Sequence, residues 1–147
     1  MKHISYHQTM QLSKHLNKPR PPQIARILIV FTWLYHGLFP KLLHVAPLEK
    51  ALTAGFGFNE QISYWITKSM GIGEVIFGLI FWFYYQNKWL NYLNIAAMVG
   101  LIIIVAILMP KLLFEAFNPV TTNLPMIACS LILLADANTN KSKFKST

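Results

Sequence analysis

Four apolar stretches, each close to twenty residues long, divide this chain: Ile24–Leu43, Ile66–Tyr85, Trp89–Met109 and Val120–Ala137. A helix rises 1.5 Å per residue and a bilayer's hydrocarbon core is about 30 Å thick, so a crossing needs roughly 20 mostly apolar residues. The expected fold is therefore all-α, a four-transmembrane-helix bundle over residues 24–137. A polar, basic tail over 1–23 precedes it and a basic tail over 138–147 follows it. The fourth stretch is the weakest, interrupted by Asn123 and Pro125. It is read as spanning because Met126–Ala135 is nearly continuous. Spans of this number leave no room among the 147 residues for a separate soluble domain.

Charged residues make up only 12% of the chain, about half the share of a soluble domain, which argues against both a disordered chain and a water-soluble globule. A formal charge of +8 would suit nucleic acid, but no basic stripe runs along one element. The basic residues gather instead at the ends of spans, where they signal topology. With both termini inside, the inner side carries Lys2, Lys14, Lys18, Arg20, Arg26, Lys88, Lys141, Lys143 and Lys145. The outer side carries only Lys41, Lys50, Lys68 and Lys111. That asymmetry puts both termini in the cytoplasm. A cleaved signal peptide is not expected, because the leader is long and no small-x-small site follows the first span closely. Cys129, the single cysteine, cannot form an internal disulfide and reads as a small packing residue.

Between spans, the loop 44–64 holds Pro47-Leu48-Glu49-Lys50-Ala51-Leu52, a short helix with proline in its first turn and an early carboxylate, ended by Gly55 and Gly57. The link Gln86-Asn87-Lys88 is short enough to force an antiparallel hairpin, and aromatics from Phe81 to Tyr92 mark a headgroup boundary around it. Before span one, Lys-Pro-Arg-Pro-Pro should keep the chain extended. Arg26 should lay its stem on apolar surface and reach lipid phosphates.

Polar residues inside the greasy spans are where function is sought. His36 lies seven residues in from the outer end of span one and Glu74 eight in from that of span two, so both sit roughly 10–12 Å below the outer boundary. An unpaired carboxylate at that depth costs several kcal/mol, so Glu74 should be protonated, paired or facing a hydrated pocket. Gly71, Glu74 and Gly78 share one helical face, where small residues let another helix approach. Glu74 then serves as a structural hydrogen bond, in ligand and proton handling, or exposed at an interface with a partner. Pro40 removes the donor that the carbonyl of His36 would receive, a local signal for a binding notch. Lys41 and Glu49 are expected near the outer surface, joined by a simple salt bridge worth little. Asn123, at the start of span four, reads as a helix cap or a ligand-orienting amide, the cap being favoured. Asn91 and Asn94 read as interfacial hydrogen-bonders. The histidines suggest no metal or haem site: His3, His7 and His15 are scattered on the tail, and a proline separates His36 from His44.

At these residues the chain resembles a known group. Trp33-Leu34-Tyr35-His36-Gly37-Leu38-Phe39-Pro40-Lys41-Leu42-Leu43, then Pro47-Leu48-Glu49, Gly71-Ile72-Gly73-Glu74 with Gly78, and later Asn118-Pro119 with Asn123, resemble the DoxX-like family of small bacterial membrane proteins. The resemblance runs from about Arg26 to Ala135 and implies a four-helix membrane bundle in the bacterial inner membrane. Some relatives are subunits of quinone-linked sulfur oxidation, and for most the activity is unknown.

Two function classes stay open. One is an accessory or small-molecule-binding subunit, not an enzyme when isolated, with a polar pocket toward the outer face lined by His36, Lys41, Glu74 and Asn123. The other is a quinone-linked redox subunit in which His36 and Glu74 exchange protons with the quinone. Gly37, Pro40, Gly71, Gly73, Gly78 and Pro119 are expected to be structural. The lipid bilayer is the first partner, a membrane or redox subunit is a possible second, and no cofactor other than quinone is suggested. Topology is open to a direct check: reporter fusions at residues 20 and 145 should both report cytoplasm and one in the 50–60 loop the opposite side. A C-terminus found outside would remove the fourth crossing.

Overall fold

The computed structural model describes residues 20–116 and 118–145, and every described element is helical. Most of the expected basic N-terminal tail, with Lys2, Lys14 and Lys18, lies outside the described residues. Helix α1 spans Pro21–Gly37 and continues as a π-helical turn, Leu38–Leu43. Helix α2 is Pro47–Ala54, α3 is Glu60–Tyr84 and α4 is Lys88–Leu108. A 3₁₀ turn, Pro110–Phe114, leads to α5, Pro119–Lys145.

Each boundary follows from local chemistry. Pro21 and Pro22 form the first turn of α1 instead of an extended leader, because a proline's missing N–H and fixed φ suit that position. Gln23 reaches back to accept from the Arg20 N–H at 3.0 Å. The π-turn widens the helix around Pro40, with the His44 N–H donating to the Phe39 carbonyl five residues back at 3.0 Å. The chain then bends by 87° into α2, which opens on Pro47 with Glu49 in its first turn and ends at Gly55. Gly57 takes the left-handed conformation (φ 87°) that lets the loop turn back. Asn59 caps α3, accepting from the Ile62 N–H at 2.8 Å, so this helix starts six residues before the expected Ile66. Hydropathy hides that start because Glu60, Gln61 and Ser63 are polar, yet Ser63 is fully buried, as is Thr67 one turn on, its hydroxyl 3.5 Å from that of Thr53 on α2.

Asn87 caps α4 in the same way, and Asn118 caps α5 by accepting from the Thr121 N–H at 3.0 Å. Pro119 then occupies the first helical position. This corrects the expectation for Asn123: Asn118 holds the cap, and Asn123 stands inside the helix, its amide directed to the Met98 carbonyl of α4 at 3.4 Å. Helix α5 runs through Pro125 and well past Ala137.

The helices α3 and α4 and the Pro119–Thr139 part of α5 are each long and apolar enough to cross a membrane. The bent pair of α1, with its π-turn, and α2 makes a fourth if taken as one span. Packing orders the long helices as α3, α1, α5, α4. Helices α3 and α4, though consecutive in the chain, hardly touch, which leaves a seam on that side of the bundle. Ile29, Val30 and Trp33 of α1 meet Phe81 of α3, Met98 of α4 and Met126, Cys129 and Leu133 of α5 in the core. The outward face is equally greasy: Phe31, Ile72, Ile76, Ile103, Ile107 and Leu131 are exposed, as a lipid-facing surface requires.

Two contacts set the spacing of the helices. The first is glycine on glycine. A Cβ on Gly37 would lie 2.7 Å from the Gly71 carbonyl oxygen, and one on Gly71 would lie 2.9 Å from that of Gly37. Gly78 sits farther along the same seam against Trp33. Gly73 does not belong with them, contrary to expectation. Two residues from Gly71 is about 200° around the helix, and a side chain there would meet open space. The second contact is polar. The Trp33 indole donates to Asn94 Oδ1 at 2.7 Å, and Asn94 Nδ2 donates to the Ser130 hydroxyl at 2.8 Å, tying α1, α4 and α5 through wholly buried Asn94 and Ser130. At the opposite end of α1, the Arg26 guanidinium lies 4.0 Å above the Trp82 ring and 4.7 Å from that of Tyr85. Its packing partner is thus an aromatic pair on the second span.

Gly37→Leu or Gly71→Leu should each cost about 1–3 kcal/mol by forcing the two backbones apart. Gly73→Leu should leave the thermal unfolding midpoint in detergent unchanged, and equal midpoints for all three would refute the close crossing.

Candidate functional site

Just beyond the Gly37–Gly71 crossing, the four long helices and α2 line a partly open cavity of about 300 Å³. Most of its wall is apolar. Met70, Met98 and Met126, one from each of α3, α4 and α5, supply flexible thioether side chains that adapt to irregular shapes. His36, Lys41, Glu49, Glu74 and Asn123 supply the polar part. The structure thus brings the four residues singled out for a pocket, His36, Lys41, Glu74 and Asn123, to one cavity wall.

Their pairing differs from the expectation. Lys41 is no rim residue: its side chain is 5% exposed, its ammonium donates to Glu74 Oε1, and it stands 3.6 Å from Glu49 Oε2. Helical spacing explains this. Lys41 lies four residues after Gly37, on the face that meets α3, and a side chain leans toward its helix's N-terminus, which carries the ammonium back to Glu74. His36 stands about 100° around the helix from Gly37 and so looks past the α1–α3 contact. It makes no hydrogen bond to Glu74; its side chain is exposed, beside the Tyr35 ring. Matching depth was necessary for a His36–Glu74 contact, but the group on Glu74 Oε1 is the Lys41 ammonium.

Glu74 is nine-tenths buried, and its second carboxylate oxygen, Oε2, has no hydrogen-bond partner among the described residues. The expected Lys41–Glu49 bridge is therefore one limb of a carboxylate–ammonium–carboxylate arrangement whose deeper limb lies inside the bundle. A buried pair of this kind contributes little net stability over an apolar substitute, but losing one partner is costly. The second span adds a further hold on this region: the Lys68 ammonium donates to the Leu42 carbonyl, pinning the π-turn that carries Lys41.

Sequence reasoning passed over Lys41 as the partner of Glu74, although the i, i+4 spacing of Gly37 and Lys41 was the signal that could have found it. Glu49 was also missed as a wall residue. Its placement depends on the 87° bend, which no local pattern announces. Among the described residues, no three of His, Cys, Asp and Glu converge as a metal site needs.

The family model of the DoxX-like family matches residues 30–131. The chain belongs to the DoxX-like family. The matched region holds every residue that lines the cavity, from Thr32 to Met126. No curated protein and no solved structure matches the chain. Family membership and the apolar helices together make it a multi-pass membrane protein, and in this DoxX-like chain the buried ion pair borders the cavity described above.

A double-substitution cycle measures the pair. Lys41→Met should destabilise the bundle by about 3–5 kcal/mol by leaving Glu74 without its cation. Lys41→Met with Glu74→Met should recover most of that loss in thermal unfolding. Strict additivity of the two substitutions would show that they do not interact.

Proposed function

We propose that this DoxX-like protein is a binding subunit of the bacterial cytoplasmic membrane that holds a small amphipathic molecule. The apolar part of the occupant lies among the methionines and leucines of the cavity, and its polar head lies at Lys41 and Glu74. One observation carries this reading: a carboxylate nine-tenths buried, with an unpartnered oxygen, borders a cavity of about 300 Å³ to which all four long helices contribute. That volume is at the lower end of the range of small-molecule sites, and a mostly apolar wall with a few convergent polar groups is their usual make-up. A purely structural glutamate has no need of such a space beside it. In our reading both termini are cytoplasmic, so the cavity belongs to the outer half of the bundle.

The alternative is a quinone-linked redox subunit with His36 and Glu74 as proton carriers. It gains the presence of both residues at one cavity but loses their direct contact, since Lys41 occupies Glu74. A partner subunit supplying electrons belongs to that alternative.

The test is chemical. Small molecules extracted from the purified protein and identified by mass spectrometry should include a compound that Leu101→Trp, which fills the cavity, abolishes at unchanged protein yield. Identical extracts from both proteins would sink the binding reading, and a quinone among the lost compounds would favour the redox alternative.

A further inference from the structure

The charges in the cavity wall do not balance. Glu49 and Glu74 contribute two carboxylates, and Lys41 is the single basic side chain with a permanent charge among the residues lining the cavity. The ammonium is already committed, donating to Glu74 Oε1 and standing 3.6 Å from Glu49 Oε2. Glu74 Oε2 is left as a buried acceptor with no donor. His36, when uncharged, adds one ring nitrogen that accepts and one N–H that donates, and the Asn123 amide group is turned to the Met98 carbonyl at 3.4 Å. With both carboxylates ionised, the wall thus carries one surplus negative charge, and Glu74 Oε2 has no donor among the described residues. Water can satisfy the hydrogen bond of that oxygen but cannot balance its charge, which calls for a charged donor.

Resting on the binding reading above, we propose that the cavity selects an amphiphile with a protonated amine head. The ammonium of the occupant donates to Glu74 Oε2 and completes the alternation of charges that Lys41 begins, while its hydrocarbon part lies on Met70, Met98 and Met126. An alcohol can donate the same hydrogen bond without supplying the charge. An anionic head adds to the surplus and is rejected.

The experiment uses the full chain in zwitterionic nanodiscs at pH 8, where an ordinary imidazole is uncharged. Three photoreactive probes share one diazirine-bearing decyl chain and carry an amine, a hydroxyl or a carboxylate head. Peptide mapping after illumination reports labelling of the cavity wall around Met98 and Met126. The amine should label at roughly tenfold lower concentration than the alcohol, the difference between a charge-assisted and a neutral hydrogen bond. The carboxylate should label least. Glu74→Gln should bring amine and alcohol to parity while alcohol labelling persists, and Glu49→Gln, at a side chain 23% exposed and so easier to replace, should narrow the gap. Equal labelling by amine and alcohol in the wild type overturns the cation preference and leaves the binding reading standing, with a proton on one carboxyl as the balancing charge. A preference that survives both substitutions also overturns it. No wall labelling by any probe removes both proposals.

Discussion

The backbone-to-backbone crossing of Gly37 and Gly71 governs the rest of this structure. In a bilayer the hydrophobic effect does not press helices together, since lipid tails are as apolar as leucine, so close packing and hydrogen bonds must do so. Two adjacent positions without side chains let α1 and α3 approach until each carbonyl oxygen lies where the other's Cβ would stand. At that separation Lys41 is sealed against α3, its ammonium on Glu74 Oε1 and 3.6 Å from Glu49 Oε2. The ion pair is thus a product of the crossing, and the cavity beside it is lined by all four long helices and α2.

The polar tie from Trp33 through Asn94 to Ser130 complements this contact on the other side of α1. Interhelical hydrogen bonds of this kind average about 0.6 kcal/mol and reach about 1.7 in a membrane. That is modest in energy, but the tie is demanding in geometry. It fixes the rotation of α1 about its axis, and that rotation decides that Gly37 and Lys41 face α3 while Thr32 and His36 turn toward the cavity. One helix is therefore positioned by two kinds of contact: close packing on α3 and directional hydrogen bonds to α4 and α5.

Much of this was legible in the residues. Hydropathy marks the long helices, and Pro47, Glu49 and Gly55 punctuate α2. The spacing of Gly71, Glu74 and Gly78 marks the packed face of α3. Other parts were not legible for identifiable reasons. Ser63 looks like loop but is fully buried at the start of α3, because burial on a partner helix cannot be read from local hydropathy. Glu74 and His36 share a depth, yet 100° of helix rotation separates His36 from the contact, and depth carries no information on rotation. Trp33 and Asn94 are 61 positions apart, so their pairing is visible only once the order of packing is known. Gly73 looks like its neighbours in composition and differs only in direction.

The seam between α3 and α4 bears on how the interior is reached. The cavity wall includes Met70 and Glu74 from one of these helices and Met98, Leu101 and Val105 from the other, so the least closed side of the bundle borders the space itself. On the binding reading, an occupant that used this side would come sideways from among the acyl chains and not from dissolved material. Its supply is then governed by partitioning into lipid, which concentrates greasy compounds far above their aqueous level, and even weak contacts inside suffice to keep such a site filled.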